Sequence, residues 1–171
     1  MNIMSDINPM LLIDFYKAVH AEMLPAGITR SVSYFTPRMS RVSRWDNVVM
    51  FGLQGFIKTY LIDYFNNSFF NIPFDEAIGS YKRIMDAALG ENIYGIGKIE
   101  DLHRLGYLPI EIWALPEGTR VPMHVPMFAI TNTHPCFAWL PQALESLISA
   151  ESWHPMIAAT VGATYREIVD R

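Results

Sequence analysis

Residues 108–118 read Leu-Pro-Ile-Glu-Ile-Trp-Ala-Leu-Pro-Glu-Gly. Ile110, Ile112 and Ala114 alternate with Glu111 and Trp113, the two-residue period of a strand with one face on a core. Pro116, Glu117 and Gly118 then make a turn. The chain changes character here. Beyond the turn, Thr119–Val121 and Met127–Thr131 read as short strands, and Pro122 and Pro126 keep them short or at an edge. From Cys136 the pattern is helical again, interrupted by Pro141 and Pro155. Phe137, Leu140, Leu144, Leu147 and Ile148 form one buried stripe there, and Ile157, Val161, Tyr165, Ile168 and Val169 a second.

Upstream of residue 108 helices dominate. Asp14 is placed to cap a helix from about Phe15 to Met23, with Phe15, Val19 and Met23 on one stripe and a stop before Pro25. Arg30–Thr36 alternates Val32 and Tyr34 with Ser31 and Ser33, a strand that Pro37 ends. Arg38 to Asp46 reads as a loop. A helix is expected from about Asn47 to Tyr64 on the stripe Val49, Leu53, Phe56, Ile57, Tyr60 and Tyr64, broken by Asn66, Asn67 and Ser68. Pro73 opens another, with Phe74, Ala77, Ile78, Tyr81, Ile84, Met85 and Ala88 inward and Gly90 as its stop. After a connection at Gly95–Gly97, a short helix from Ile99 to Leu105 ends at Gly106. Helices packed on a small, mostly antiparallel sheet make the class α+β, in one domain spanning residues 1–171. The last helix, about 155–171, is still in pattern at Arg171, which leads us to expect an interrupted chain.

Composition limits function. The chain has 171 residues, 51% of them hydrophobic and 13% aromatic, with a formal net charge of −4. Intrinsic disorder is excluded by the low charge, and an acidic balance argues against a nucleic-acid surface. No apolar run approaches the roughly 18 residues of a membrane span. Asp6 near the start and the lack of a basic leader do not read as a signal peptide. The single cysteine, Cys136, fits a reducing, cytoplasmic setting and reads as a core thiol. Ten Met, four Trp, eight Tyr and ten Phe exceed what so small a chain readily hides, so an interface is expected. No phosphate loop or zinc spacing is present, and the five histidines show no metal-ligand pattern.

Longer strings carry more. Leu11 to His20 reads Leu-Leu-Ile-Asp-Phe-Tyr-Lys-Ala-Val-His. Ser33-Tyr34-Phe35 precedes Arg38, and Phe51-Gly52-Leu53-Gln54 leads to Tyr60-Leu61. Leu108–Gly118 is the most specific block. It continues through Val121-Pro122, Phe128, Asn132-Thr133, Pro135, Trp139-Leu140, Glu145, Trp153, Pro155 and Ala159-Thr160. In this order the blocks resemble the N-terminal portion of nicotinamide phosphoribosyltransferases, which are type II phosphoribosyltransferases, over most of residues 11–160.

The resemblance implies an enzyme joining nicotinamide to phosphoribosyl pyrophosphate, with Mg²⁺ accompanying that substrate, to give nicotinamide mononucleotide and pyrophosphate. It implies a homodimer with sites at the subunit interface and an α/β barrel, most of which this chain lacks. Tyr16 matches the tyrosine that stacks on the pyridine ring, Asp14 the acidic neighbour at that pocket, and Arg38 a cation approaching the substrate phosphates. The catalytic histidine and most phosphate-binding groups of the family pattern lie beyond residue 171. No catalytic residue or metal ligand is therefore assigned here, and the chain alone is expected to be inactive. Phe15, where a small polar residue is usual, and the Pro122–Pro126 segment depart from the pattern. A nicotinate-using relative and a non-catalytic assembly module are the alternative readings.

Each carried-over role has a physical basis. A tyrosine face suits a flat aromatic base, and a guanidinium pairs bidentately with phosphate oxygens. Residues two apart on a helix face different ways, so Asp14 and Tyr16 can share a ligand only if Asp14 stands outside the helix.

Overall fold

The computed structural model describes residues 7–91 and 93–171; Asp6 lies outside them. Among the described residues, five strands form two antiparallel sheets. The larger has the order β1 (Val32–Phe35), β5 (Phe128–Asn132), β3 (Ile110–Ala114), with Val32 opposite Thr131, Phe35 opposite Phe128 and Ile112 opposite Ile130. The smaller pairs β2 (Asn47–Val49) with β4 (Arg120–Pro122), Val48 opposite Val121. The α+β class is as the sequence indicates. Central β5 buries Phe128, Ile130, Thr131 and Asn132, while β3 buries less and leaves Ala114 exposed.

Helix α1 runs Lys17–Met23, two residues later than expected. Its cap position is Tyr16, and no side chain caps it. Asp14 instead closes a turn, its carbonyl accepting from the Lys17 amide at 2.8 Å. The stripe Phe15, Val19, Met23 is not the inward face: Phe15 and Met23 are exposed, whereas Lys17 and Ala21 are buried.

The region 47–70 corrects the sequence reading most. Val48, Val49 and Met50 are buried in and beside β2 rather than in a helix. Helix α2 (Leu53–Phe56) starts only after Gly52 and passes into a π-helical stretch, Ile57–Tyr64 and Asn66–Phe70. Asn66, Asn67 and Ser68 do not break it, because Phe65 and Phe69 on either side are fully buried. Helix α3 (Phe74–Leu89) begins after Pro73 and stops at Gly90 as expected, with Ala77, Ile78, Tyr81 and Met85 buried but Ala88 exposed. Helix α4 (Ile96–Leu105) starts three residues early and ends at left-handed Gly106.

Helix α5 (Leu140–Ala143) has Pro141 in its first turn, where no amide hydrogen is needed. Helix α6 (Glu145–Val169) contains Pro155 rather than starting there. The first predicted stripe, Phe137 to Ile148, is buried. The second is not: Ile157, Tyr165, Ile168 and Val169 are 44–78% exposed, with no element among the described residues covering them. Cys136 is also exposed, not a core thiol. His124, in the unusual Pro122–Pro126 segment, adopts φ 67° and its amide donates to the Pro37 carbonyl at 2.8 Å.

Helix α6 joins the two sheets. Near its middle the Val49 amide donates to Thr160 Oγ1 at 2.9 Å. Closer to its start, Phe35 of β1 lies 4.9 Å from Trp153 and stacks on Phe128 at 4.7 Å. The first three turns of α6 therefore face β1 and β5 across an open groove.

Candidate functional site: a groove at the start of the last helix

An open groove of about 840 Å³ runs between β1 with its following loop and the α5–α6 corner. Phe35, Phe128, Ile130, Ile148 and Trp153 supply its apolar surface, and Ser33, Thr36 and Ser149 add hydroxyls. Arg38 and Arg41 line one side, and Glu145 the other. Pro37 is buried and fixes the chain as it leaves β1, so Arg38 is presented at the groove rim. Neither arginine joins an ion pair among the described residues, so both guanidinium groups are open to an anion.

Asp14 and Tyr16 stand at the same corner. Asp14 Oδ2 accepts from the Ser146 hydroxyl at 2.7 Å, and its amide donates to Ser146 Oγ at 3.1 Å. The Tyr16 hydroxyl is 3.5 Å from Asp14 Oδ2. The ring of Tyr16 is 56% exposed, with His20 at 5.1 Å on one side. The turn before α1 thus brings the Asp14 and Tyr16 side chains together, which a regular helix would not allow. Asp14 Oδ1 has no hydrogen-bond partner among the described residues.

Arg38 makes no hydrogen bond or ion pair with Asp14 or Tyr16. The link between them is indirect, through α6: Ser146 holds Asp14, and neighbouring Glu145 borders the groove with Arg38. Glu145 Oε2 also accepts from Lys17 Nζ at 2.6 Å. The sequence did not single out Lys17, Ser146, Ser149 or Arg41, and quoted Glu145 without a role. Only the nearness of Lys17 to Tyr16 signalled that lysine, since the pairings span about 130 residues.

A smaller cavity of about 330 Å³ lies towards the far end of α6, between Arg44, Trp45, Arg120 and Thr164. It includes none of Asp14, Tyr16 or Arg38.

An apolar groove with free guanidinium groups suits a phosphate-bearing ligand, and the exposed Tyr16 ring, tied through Asp14 to the same helix start, suits a flat one. The fold is that of a type II phosphoribosyltransferase: human Nicotinic Acid Phosphoribosyltransferase superposes with a TM-score of 0.53 at 19% identity, over 89% of this chain and 26% of that one. Residues 8–112 match the family described as nicotinamide phosphoribosyltransferase, N-terminal domain, and the chain belongs to that family. Nicotinamide phosphoribosyltransferase of Acinetobacter baylyi is 44% identical over 168 residues, covering 95% of this chain and 33% of the relative. The protein of that name from Xanthomonas campestris pv. campestris is 34% identical over 163 residues, covering 95% and 32%. The chain spans about a third of the length of the curated relatives it matches.

Proposed function

We propose that this chain supplies one wall of a nicotinamide phosphoribosyltransferase site in a cytoplasmic homodimer. The reaction is attack of the pyridine nitrogen on C1 of the phosphoribosyl group. The C1–oxygen bond to pyrophosphate breaks, and pyrophosphate leaves with the electron pair. The observation that carries this reading is that the first turn of α6 both bonds Asp14, which stands beside Tyr16, and borders the groove that Arg38 lines.

In this proposal the Tyr16 face stacks on the pyridine ring, a contact worth about 0.5–1.5 kcal/mol beyond area burial. Asp14 Oδ1 accepts an N–H of the ligand while Oδ2 stays with Ser146. Arg38, with Arg41 beside it, holds a phosphate in the groove. Mg²⁺ travels with the diphosphate of the substrate. No group of three or more His, Cys, Asp or Glu among the described residues is arranged to hold it as a resident ion.

A second subunit completes the site. Tyr34, Met39 and Phe15 are exposed beside the groove and the turn, an apolar rim of the kind a protein partner covers. The amide substrate is preferred to the acid because both relatives compared by sequence are nicotinamide enzymes.

The test is a chimera in which this chain replaces the matching first third of the Acinetobacter baylyi relative. Nicotinamide mononucleotide should form from nicotinamide and phosphoribosyl pyrophosphate with the chimera and not with this chain alone. A folded but inactive chimera would overturn the proposal in favour of a non-catalytic module. Product from the chain alone would refute the claim that it is only one wall.

A further inference from the structure

Lys17 is the one charged side chain buried among the described residues, 4% exposed, and it directly follows Tyr16. An ammonium is taken out of water only when paired. Its Nζ lies 2.6 Å from Glu145 Oε2 and 3.4 Å from the Gln142 carbonyl. The Glu145 side chain is itself 61% exposed, and it borders the groove that Arg38 lines. Residue 146 makes the second link, its hydroxyl bonded to both the carboxylate and the amide of Asp14. Consecutive residues of α6 thus grip the first and last residues of the segment 14–17, and the exposed Tyr16 ring stands between the two grips.

We infer that Lys17–Glu145 and Asp14–Ser146 form a two-point latch that sets where the Tyr16 ring stands relative to the Arg38 groove. This rests on the reading that Tyr16 stacks on the base. Lys17, Glu145 and Ser146 are then positioning residues, acting through Tyr16. The lysine also lies 5.9 Å from the Tyr16 ring centroid, so its charge and its tether act on the same side chain. A segment held at both ends presents its ring without paying for order on binding.

Two measurements test the latch. In the chimera, Lys17→Met should raise the KM for nicotinamide about tenfold, with a much smaller change in the KM for phosphoribosyl pyrophosphate. In a Tyr16→Ala background the same substitution should add nothing to the nicotinamide KM, because its route of action has been removed. Ser146→Ala should behave likewise. Additive effects of Lys17→Met and Tyr16→Ala, or equal increases in both KM values, would overturn the inference. The second measurement is independent of activity. Amide exchange at Lys17, Ala18 and Val19, whose N–H groups bond to Asp14, Phe15 and Tyr16 carbonyls, should quicken in the Lys17→Met chain. Unchanged exchange there sinks the latch even if the chimera proves inactive, an outcome that would refute the proposed function and leave the exchange result to decide the latch.

Discussion

Gly52 packs so closely on Pro155 that a Cβ built at residue 52 would lie 2.7 Å from the proline Cβ. The glycine also has φ +86°, where a side chain strains the backbone by about 1–2 kcal/mol. Both features fix the start of α2 against the middle of α6. Overpacking typically adds about 1–3 kcal/mol, so Gly52→Ala should destabilise the chain by about 2–5 kcal/mol in urea unfolding. A loss below about 1 kcal/mol would show that this contact relaxes freely.

The same region explains why part of the fold was hidden in the sequence. Val49, Leu53 and Phe56 do recur at helical spacing, yet β2 exists because Val48 meets Val121 across some seventy residues of chain, a pairing no local period discloses. Leu61, Phe65 and Phe69 are buried at four-residue intervals, which suits the wider π-helical turn and overrides the polar Asn66–Ser68 signal. By contrast both ends of α3 were legible, since Pro73 and Gly90 bound a strongly amphipathic run, and of its expected inward residues only Ala88 is exposed. Of the site, Asp14, Tyr16 and Arg38 came from a string resemblance. Their indirect link through Glu145 and Ser146 of α6 did not, because a buried Lys17 looks like any surface lysine until Glu145 is placed beside it.

The Lys17–Glu145 pair should respond unequally to removal of its two ends. Lys17→Met takes away a buried charge and leaves a carboxylate already in water, so stability should change by less than about 1 kcal/mol. Glu145→Ala strands the ammonium with only the Gln142 carbonyl, and the loss should reach about 2 kcal/mol, discounted from the buried-pair range because Glu145 is partly exposed. Chemical denaturation of both variants decides this, and equal losses would contradict the asymmetry.

Alkaline pH should probe the contact between the π-helical stretch and α6. The Tyr60 hydroxyl donates to Glu151 at 2.7 Å. Burial first, then this hydrogen bond and the glutamate charge, push the phenol up to about 12 from 10.0. The folded state thus holds the proton more tightly than the unfolded state. The resulting stability is fully present below pH 10 and is lost as pH rises towards 12. Tyr60→Phe should therefore flatten the fall in stability across that window, though burial raises Tyr64 as well and leaves a residual slope. An unchanged slope would mean that Tyr60 ionises alike in both states.

Tyr16 and Arg38 should separate binding from folding. Tyr16 is 56% exposed and Arg38 lies on an open loop, so neither alanine variant should lose more than about 0.5 kcal/mol of stability. A core role for the tyrosine would predict a loss of about 3 kcal/mol or more. In the chimera, Tyr16→Ala should raise the KM for nicotinamide about tenfold, the loss of one aromatic stack. Arg38→Ala should act instead on phosphoribosyl pyrophosphate by about 10- to 100-fold, since a charge-assisted phosphate contact contributes about 1.5–3 kcal/mol. Arg38→Lys should recover only part of this, because an ammonium lacks the planar fork. If both alanine variants weaken the same substrate, the ring and the guanidinium serve one subsite, and the division of labour along the groove has to be redrawn.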